Sequence, residues 1–135
     1  MGVEEAVTRL RQAADDGGLD LLCRRSGVRV LTLFGSARVD PVSARDLDVG
    51  VSLDGRPSSA PFELVKDLME LTGTDDVDVL VLDGASPTAR FAGLVNCTPL
   101  FESEDGEWAR AQMAAALEFY ETEWLRRLDL ELLSR

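Results

Sequence analysis

The stretch "LFGSARVDPVSARDLDVGV", residues 33–51, holds the features that predict the fold. An apolar run ends at a Gly-Ser pair, and a second apolar alternation then begins that carries Asp46 and Asp48. Alternate side chains of a β-strand point to opposite faces, so these carboxylates share one face with Gly50 and Ser52. The stretch therefore predicts two strands, the second with a charged face and an apolar face that packs on the core.

A third carboxylate, Asp78, lies within the apolar run "VDVLVL", residues 77–82, which predicts another strand. If this strand neighbours the one that carries Asp46 and Asp48, the three carboxylates converge. Mg²⁺ and Mn²⁺ take oxygen ligands of this kind and share them with phosphates, so we expect one or two such ions here. Asp75 and Asp76 precede Asp78, and a solvated turn is the alternative interpretation of that group.

The Gly-Ser pair suits a phosphate site. Gly35 lets the backbone approach a ligand closely, while the Ser36 hydroxyl and the amides that follow, opening a helical turn, can bind phosphate oxygens. Arg38 can add a charge-assisted hydrogen bond. Phosphate ligands beside metal-binding carboxylates are typical of nucleotidyl transfer. The alternatives are that the pair only forms a turn and that the acids only protect an exposed edge strand from aggregation.

The rest of the chain predicts helices around these strands. Helical spacing of apolar residues extends over residues 3–14, and a second short helix ends near Gly27, ahead of a strand over 28–34. Ser86 and Pro87 suit the start of a helix over 87–96, and "CTPLFES" after it reads as an edge strand. Another helix is predicted to start at Ser58, Ser59 and Pro61, to stop at Gly73 and to present an apolar face made of Phe62, Val65, Leu68 and Met69.

One long helix is predicted from Glu107 to Leu133. Its principal apolar stripe is expected in the core; it consists of Met113, Leu117, Tyr120, Trp124 and Leu128. More apolar residues widen this surface beyond one stripe, so we expect a partner or a second copy of the chain to cover part of it. They are Phe119, Leu125, Leu130 and Leu133.

Length and element order predict an α/β (α+β) fold with a small mixed sheet and flanking helices, in a single domain over residues 1–135. The formal net charge is −11, which disfavours stable binding of nucleic acids. The chain has no histidine, which excludes histidine-based zinc sites and Ser-His-Asp catalysis. Without an apolar run of membrane-spanning length or a secretory signal, we expect a cytoplasmic protein, with Cys23 and Cys97 buried and unreactive.

Three other candidates are set aside. Asp83 precedes a glycine and is predicted to be a turn residue, and Arg90 is predicted to be a surface salt-bridge partner. The Asp-x-Asp chemistry of aspartyl-phosphate hydrolases needs acids just beyond the C-terminal end of a strand. Here the apolar alternation runs through Asp46 and beyond it, which disfavours that class.

The segments "GSARVDPVSARDLDV", "VDVLVL" and "ASPTARFAGLVNCTPLFESE" together resemble the minimal nucleotidyltransferases of the polymerase β superfamily. They resemble in particular the MNT type that accompanies HEPN proteins. The resemblance extends from about residue 28 to the final helix.

The resemblance implies a polymerase β-like nucleotidyltransferase fold and a role for each motif. Gly35 and Ser36 would hold the triphosphate of ATP, Asp46 and Asp48 would ligate both metal ions, and Asp78 would bind the catalytic metal and help to activate the acceptor hydroxyl. It also implies that the chain is an antitoxin whose partner is a HEPN ribonuclease toxin, inactivated by transfer of AMP to a tyrosine.

Two departures from the family pattern motivate other hypotheses. Nine residues, 37–45, separate the Gly-Ser pair from Asp46, one fewer than is usual and without the customary glycine, and Arg45 precedes the acid pair. A catalytically degenerate antitoxin that neutralises its partner by binding alone is the second hypothesis. The third is a small-molecule nucleotidyltransferase, as in aminoglycoside modification, with a partner chain completing the acceptor pocket.

Overall fold

A four-stranded mixed sheet forms the centre of the protein, in a computed structural model that describes residues 2–55 and 60–134. The strand order is β3-β2-β1-β4. β1 is antiparallel to both of its neighbours, and β2 is parallel to β3. The strands are β1 (Val28–Phe34), β2 (Leu47–Leu53), β3 (Val77–Val81) and β4 (Cys97–Glu102).

Helices cover both faces of this sheet, and the predicted fold class is confirmed. They are α1 (Val3–Asp16), α2 (Gly18–Arg25), α3 (Ser36–Val39), α4 (Ala60–Thr72), α5 (Pro87–Leu94), α6 (Glu107–Glu121) and α7 (Glu123–Leu133). The predicted edge position of β4 is confirmed, as is the Ser86 cap, whose hydroxyl accepts a hydrogen bond from the Ala89 N–H. No helix in the described part of the chain is both long and apolar enough to cross a membrane.

The larger core lies between one face of the sheet and α1, α2 and α4. Leu33 pairs with Val49 and Leu31 with Val51 across the β1–β2 register, and all four are buried. The helices contribute fully buried leucines, each stabilising the fold by about 1.5–3 kcal/mol; they are Leu10, Leu19, Leu64 and Leu68. This is the apolar face that the alternation in β2 predicted.

A second core covers part of the opposite face. It is built from Val30, Leu82, Leu94 and Ala115. α5 can lie close to the sheet here because glycines on α5 and β2 leave room for the contact. A Cβ on Gly93 would lie 2.5 Å from Leu82 Cδ2, and a Cβ on Gly50 would lie 2.8 Å from Thr32 Oγ1. The Thr32 hydroxyl donates a hydrogen bond to the Gly93 carbonyl at 2.5 Å. Gly50 and Ser52 are therefore buried, and the expectation of a charged face along all of β2 was wrong.

The apolar face of α4 also differs from the prediction. The proposed start at Ser58 and Ser59 lies outside the described residues. Of the predicted face, Leu68 is fully buried and Val65 and Met69 are half-buried, but Phe62 is 85% exposed. Leu64, which was not predicted to belong to this face, is fully buried, because packing against α1 and β3 decides which side of the helix is covered. Gly73 ends the helix as predicted, with φ +75° and its N–H bonded to the Met69 carbonyl.

The predicted long helix is divided at Thr122 into α6 and α7. The Thr122 hydroxyl donates to the Glu118 carbonyl at 2.8 Å, a local bond that competes with the helical pattern. The guanidinium of Arg126 then lies 3.7 Å from the ring centroid of Phe119 and donates to the Phe119 carbonyl and to the Thr122 hydroxyl. Arg126 therefore stabilises the junction between the two helices.

The apolar stripe of this segment is exposed, so the prediction that it belongs to the core was wrong. Trp124 is 63% exposed. Four more residues of the stripe are also exposed: Met113, Leu117, Tyr120 and Leu128. α6 contacts the second core through the smaller Ala111 and Ala115, together with Trp108. Helical periodicity shows that a helix has an apolar face but not what covers it.

Candidate active site

The two register-paired carboxylates lie at the edge of the sheet where β1 ends and β2 and β3 begin. Phe34, the last residue of β1, is opposite Asp48, and Asp48 is opposite Asp78 on β3. Neighbouring strands are about 4.8 Å apart, so this register brings the end of β1, Asp48 and Asp78 together at one edge, and the Gly-Ser pair follows directly after β1. The strands that carry Asp48 and Asp78 are neighbours, so the condition on which convergence of these two carboxylates depended is met.

Gly35 is fitted closely against Asp48. Its φ of 73° and ψ of −158° belong to a region that is essentially restricted to glycine. A Cβ at this position would collide with Asp48 Oδ2 and would lie 3.1 Å from Asp48 Cγ. Two independent constraints, the backbone conformation and the contact with Asp48, therefore require glycine here.

Ser36 begins the helical turn that the sequence predicted. The Asp40 N–H bonds to the Ser36 carbonyl at 2.8 Å and the Arg38 N–H to the Gly35 carbonyl at 3.3 Å. Ser36 is exposed at the start of α3, while the buried Ala37 fixes the turn to the larger core. Ser36 is thus an exposed residue next to Gly35, which lies against Asp48, and the turn that carries it is held by the buried Ala37.

Arg38 lies on the β4 side of this edge. Its Nε donates to the Thr98 hydroxyl at 3.1 Å, and Thr98 pairs with Leu33 in the β1–β4 register. Arg38 is exposed. The Gly-Ser pair therefore has the carboxylates on one side and Arg38 on the other. Thr98 could not be predicted from the sequence, because this hydrogen bond joins residues that are 60 positions apart.

The three carboxylates differ in exposure. Asp46 is exposed and lies just before β2, which begins at Leu47 rather than at Asp46 as predicted. Asp78 is exposed, and Asp48 is half-buried. Burial raises the pKa of Asp48, and the neighbouring Asp78 and Asp46 carboxylates raise it further. Negative charge is therefore crowded at Asp48, which a cation would relieve.

The chemistry of these side chains fits a hard divalent cation, since the donors are carboxylate oxygens and the central one is crowded by like charge. They are not assembled as a closed metal site: among residues 2–55 and 60–134, no group of three or more histidine, cysteine, aspartate or glutamate side chains is arranged to hold a metal ion. Asp46 and Asp78 are both exposed.

Asp83 has a structural role at the opposite end of β3, as predicted. It accepts hydrogen bonds from the Leu53 N–H at 2.8 Å and from the Ser52 hydroxyl at 3.1 Å, and Arg29 lies 3.4 Å away. Arg90 forms an ion pair of 2.6 Å with Glu118 between α5 and α6. The predicted salt-bridge role of Arg90 is therefore confirmed, but the pair is half-buried rather than on the surface.

A cavity of about 300 Å³ near Asp83 was not predicted from the sequence. It is lined by arginines from β1, α5 and α6, namely Arg29, Arg90 and Arg110. Each of them is paired with a carboxylate. Ser52, which lines it, lies four residues beyond Asp48 along β2, so this cavity is separate from the acidic edge.

Both cysteines are buried, as predicted. Burial raises the pKa of the Cys23 thiol to about 12, and burial also raises the pKa of Cys97. Neither thiol is poised to act as a nucleophile.

Solved structures with a similar fold include chains of toxin–antitoxin complexes, although no protein-family model and no curated protein sequence matches the chain. A chain of a toxin–antitoxin complex with AMP-PNP superposes with a TM-score of 0.72 at 17% identity, covering 88% of this chain and 98% of that one. A chain of a complex of tri-AMPylated Shewanella oneidensis HEPN toxin with MNT antitoxin gives 0.69 at 17% identity, covering 93% and 99%.

A chain of a MntA–HepT toxin–antitoxin complex gives a TM-score of 0.69 at 16% identity, and the match covers 92% of this chain and 99% of that one. The protein therefore has the fold of these chains over nearly its whole described length. The mixed sheet with flanking helices that the sequence predicted agrees with this similarity.

Proposed function

We propose that this chain is a minimal nucleotidyltransferase of the MNT type that transfers AMP from ATP to a hydroxyl of a HEPN toxin and thereby acts as an antitoxin. The observation that carries the proposal is that Gly35, directly after β1, lies against Asp48 of β2, whose register partner on β3 is Asp78. The shared fold supports it, because its known examples include an AMPylated toxin complex and a complex with AMP-PNP. We propose that it works as a single domain in the cytoplasm.

In this proposal the triphosphate of ATP lies along the Gly-Ser pair. Gly35 gives the phosphates close access to the backbone, the exposed Ser36 hydroxyl donates to a phosphate oxygen, and Arg38 pairs with phosphate charge on the β4 side. The α-phosphorus then lies toward Asp48. The departing pyrophosphate lies toward Arg38, whose charge stabilises it.

The acceptor hydroxyl attacks the α-phosphorus of ATP. A bond forms between the hydroxyl oxygen and phosphorus, the bond from phosphorus to the bridging oxygen of the β-phosphate breaks, and pyrophosphate leaves. Asp78, exposed on the outermost strand beside Asp48, is the carboxylate placed to receive the hydroxyl proton.

Asp46, Asp48 and Asp78 would hold Mg²⁺, or Mn²⁺, together with the phosphates. Such an ion supplies positive charge that offsets phosphate repulsion and favours ionisation of the acceptor hydroxyl. A partial site suits this role, because Mg²⁺ in phosphate chemistry is held by one or two carboxylates plus substrate oxygens.

A protein acceptor agrees with what the chain offers. Asp78 lies on an edge strand, so a tyrosine on another protein can approach without entering a deep pocket. The net charge of −11 favours a basic partner such as a ribonuclease. The complexes that share the fold contain HEPN toxins.

The test is transfer of label from α-phosphate-labelled ATP, with Mg²⁺, onto the candidate HEPN partner. We expect label on the partner with the wild-type chain and loss of at least about 100-fold with Asp48→Asn, the size of effect that follows removal of a group which stabilises transition-state charge. Asp83→Asn is the matched control, because that carboxylate lies at the other end of β3. Unchanged transfer by Asp48→Asn would sink the assignment of the site.

Neutralisation by binding alone is the second candidate, favoured by the exposed apolar residues of α6 and α7. In that case Asp46→Asn and Asp48→Asn would leave neutralisation of the partner intact. Polar substitutions on α7, such as Trp124→Ser, would abolish it. The label-transfer assay and a ribonuclease assay on the same variants separate the two candidates.

A further inference from the structure

Thr98 is the residue that fixes the guanidinium of Arg38 at the candidate site. Its hydroxyl accepts the hydrogen bond from Arg38 Nε at 3.1 Å. Thr98 belongs to β4, at the position paired with Leu33 of β1, and the next residue of β1 faces Cys97. The positive charge of the guanidinium lowers the pKa of the Cys97 thiol and so opposes the increase that burial causes. The hydrogen bond to Thr98 therefore locates Arg38 near the start of β4.

This contact occupies one nitrogen of Arg38. Within the described chain, its two terminal nitrogens have no hydrogen-bond partner. An arginine that is free in solution loses up to about 2 kcal/mol of rotamer entropy when it is fixed on a ligand. Anchoring Nε to a rigid strand removes part of that cost in advance, while the terminal nitrogens keep their capacity for bidentate phosphate binding.

We propose that Thr98 is a positioning residue for nucleotide binding: it holds Arg38 so that the terminal guanidinium nitrogens meet the β- and γ-phosphates of ATP. The proposal rests on the proposed function, since it needs a nucleoside triphosphate at the Gly-Ser pair. It adds a residue of β4, on the side of the edge away from Asp48 and Asp78, to the site.

The experiment measures the Kd for AMP-PNP with Mg²⁺ by calorimetry, together with KM and kcat for ATP in the transfer assay. Thr98→Val keeps the shape of the side chain and removes the acceptor. We expect it to weaken AMP-PNP binding and raise KM by about twofold to tenfold, the worth of one hydrogen bond, with kcat changed much less. Thr98→Ser restores the acceptor and is expected to behave as the wild type does.

A double-mutant cycle distinguishes positioning from a general structural effect. If Thr98 acts through Arg38, Thr98→Val has no further effect on Kd when Arg38 is already alanine. Thr8→Val is the control threonine, because among the described residues its hydroxyl bonds to the Glu4 carbonyl of its own helix and to no other group. Urea unfolding of every variant detects loss of stability.

The proposal is overturned if Thr98→Val binds AMP-PNP as the wild type does, if Thr98→Ser fails to rescue binding, or if the effects of Thr98→Val and Arg38→Ala simply add. These outcomes leave the proposed function standing when Asp48→Asn still loses transfer. A wild-type chain that binds no AMP-PNP overturns both proposals together.

Discussion

Replacing Gly35 by alanine adds one carbon at the place where β1 meets the acidic edge. Two costs follow from the structure. The backbone conformation, with φ of 73° and ψ of −158°, costs a non-glycine residue about 1–3 kcal/mol. The new Cβ would also collide with the Asp48 carboxylate, and overpacking of this kind costs about 1–3 kcal/mol more. We expect the free energy of unfolding to fall by about 2–6 kcal/mol.

A domain of this size is stable by about 5–15 kcal/mol, so Gly35→Ala should still fold at low temperature, with Asp48 displaced. Urea unfolding measures the stability, and the label-transfer assay measures the activity, which we expect to fall at least about 100-fold. Gly17→Ala is the matched control. Gly17 also has a positive φ, 90°, but a Cβ there would meet nothing within 4 Å. It should cost about 1–2 kcal/mol and leave transfer unchanged.

A second variant isolates the contact with Asp48. In an Asp48→Ala background the carboxylate is absent, so Gly35→Ala should cost about 1–3 kcal/mol less than it does in the wild type. Equal costs of Gly35→Ala in the two backgrounds, or full transfer activity in Gly35→Ala, would refute the inferred contact between the Gly-Ser turn and the acidic edge.

Two further predictions concern the carboxylates and the exposed helices. The pKa of Asp48 is raised in the folded state, so ionisation of this carboxyl destabilises the fold. The loss of stability begins as the pH rises above 3.8, the usual pKa of an aspartate, and is complete above the raised pKa. Asp48→Asn should therefore stabilise the metal-free protein at pH 7 by about 0.2–1 kcal/mol, the range for like charges on neighbouring strands. The variant should lose this advantage as the pH falls toward 3.8. Urea unfolding at several pH values measures it, and an advantage that does not depend on pH would contradict the prediction. On the exposed helices, Leu117→Ser and Trp124→Ser should change the free energy of unfolding by no more than about 0.5 kcal/mol yet weaken partner binding. The core substitution Leu10→Ala should instead lower the free energy of unfolding by about 2–5 kcal/mol. If both exposed substitutions leave partner binding unchanged, this surface does not bind the partner.

The strands could be predicted from the sequence because each is a short apolar run with a clear end. The same alternation placed Asp48 correctly on a face opposite Leu47 and Val49, both of which are buried. The juxtaposition of Asp48 with Asp78 was conditional on strand order, which no local pattern determines. The β2–β3 register shows that Asp48 and Asp78 are directly paired.

Other features depend on packing between distant segments. The burial of Gly50 and Ser52 follows from the approach of α5, which requires Gly93, 43 positions beyond Gly50. The exposed stripe of α6 and α7 has the same helical spacing as a core stripe, so the sequence alone could not separate the two. The break at Thr122 depends on hydrogen bonds made by one threonine and one arginine.

The junction at Thr122 has a consequence for how the chain unfolds. No residue of α7 is buried in the described structure, and its principal neighbour is α6. The contacts of Arg126 with Phe119 and Thr122 are therefore a large part of what holds α7 against α6. A helix attached in this way should open on its own, and its amides should exchange with deuterium well before those of β1 and β2. Whatever molecule covers α7 would then slow that exchange selectively, so the protection of these amides would report partner binding residue by residue.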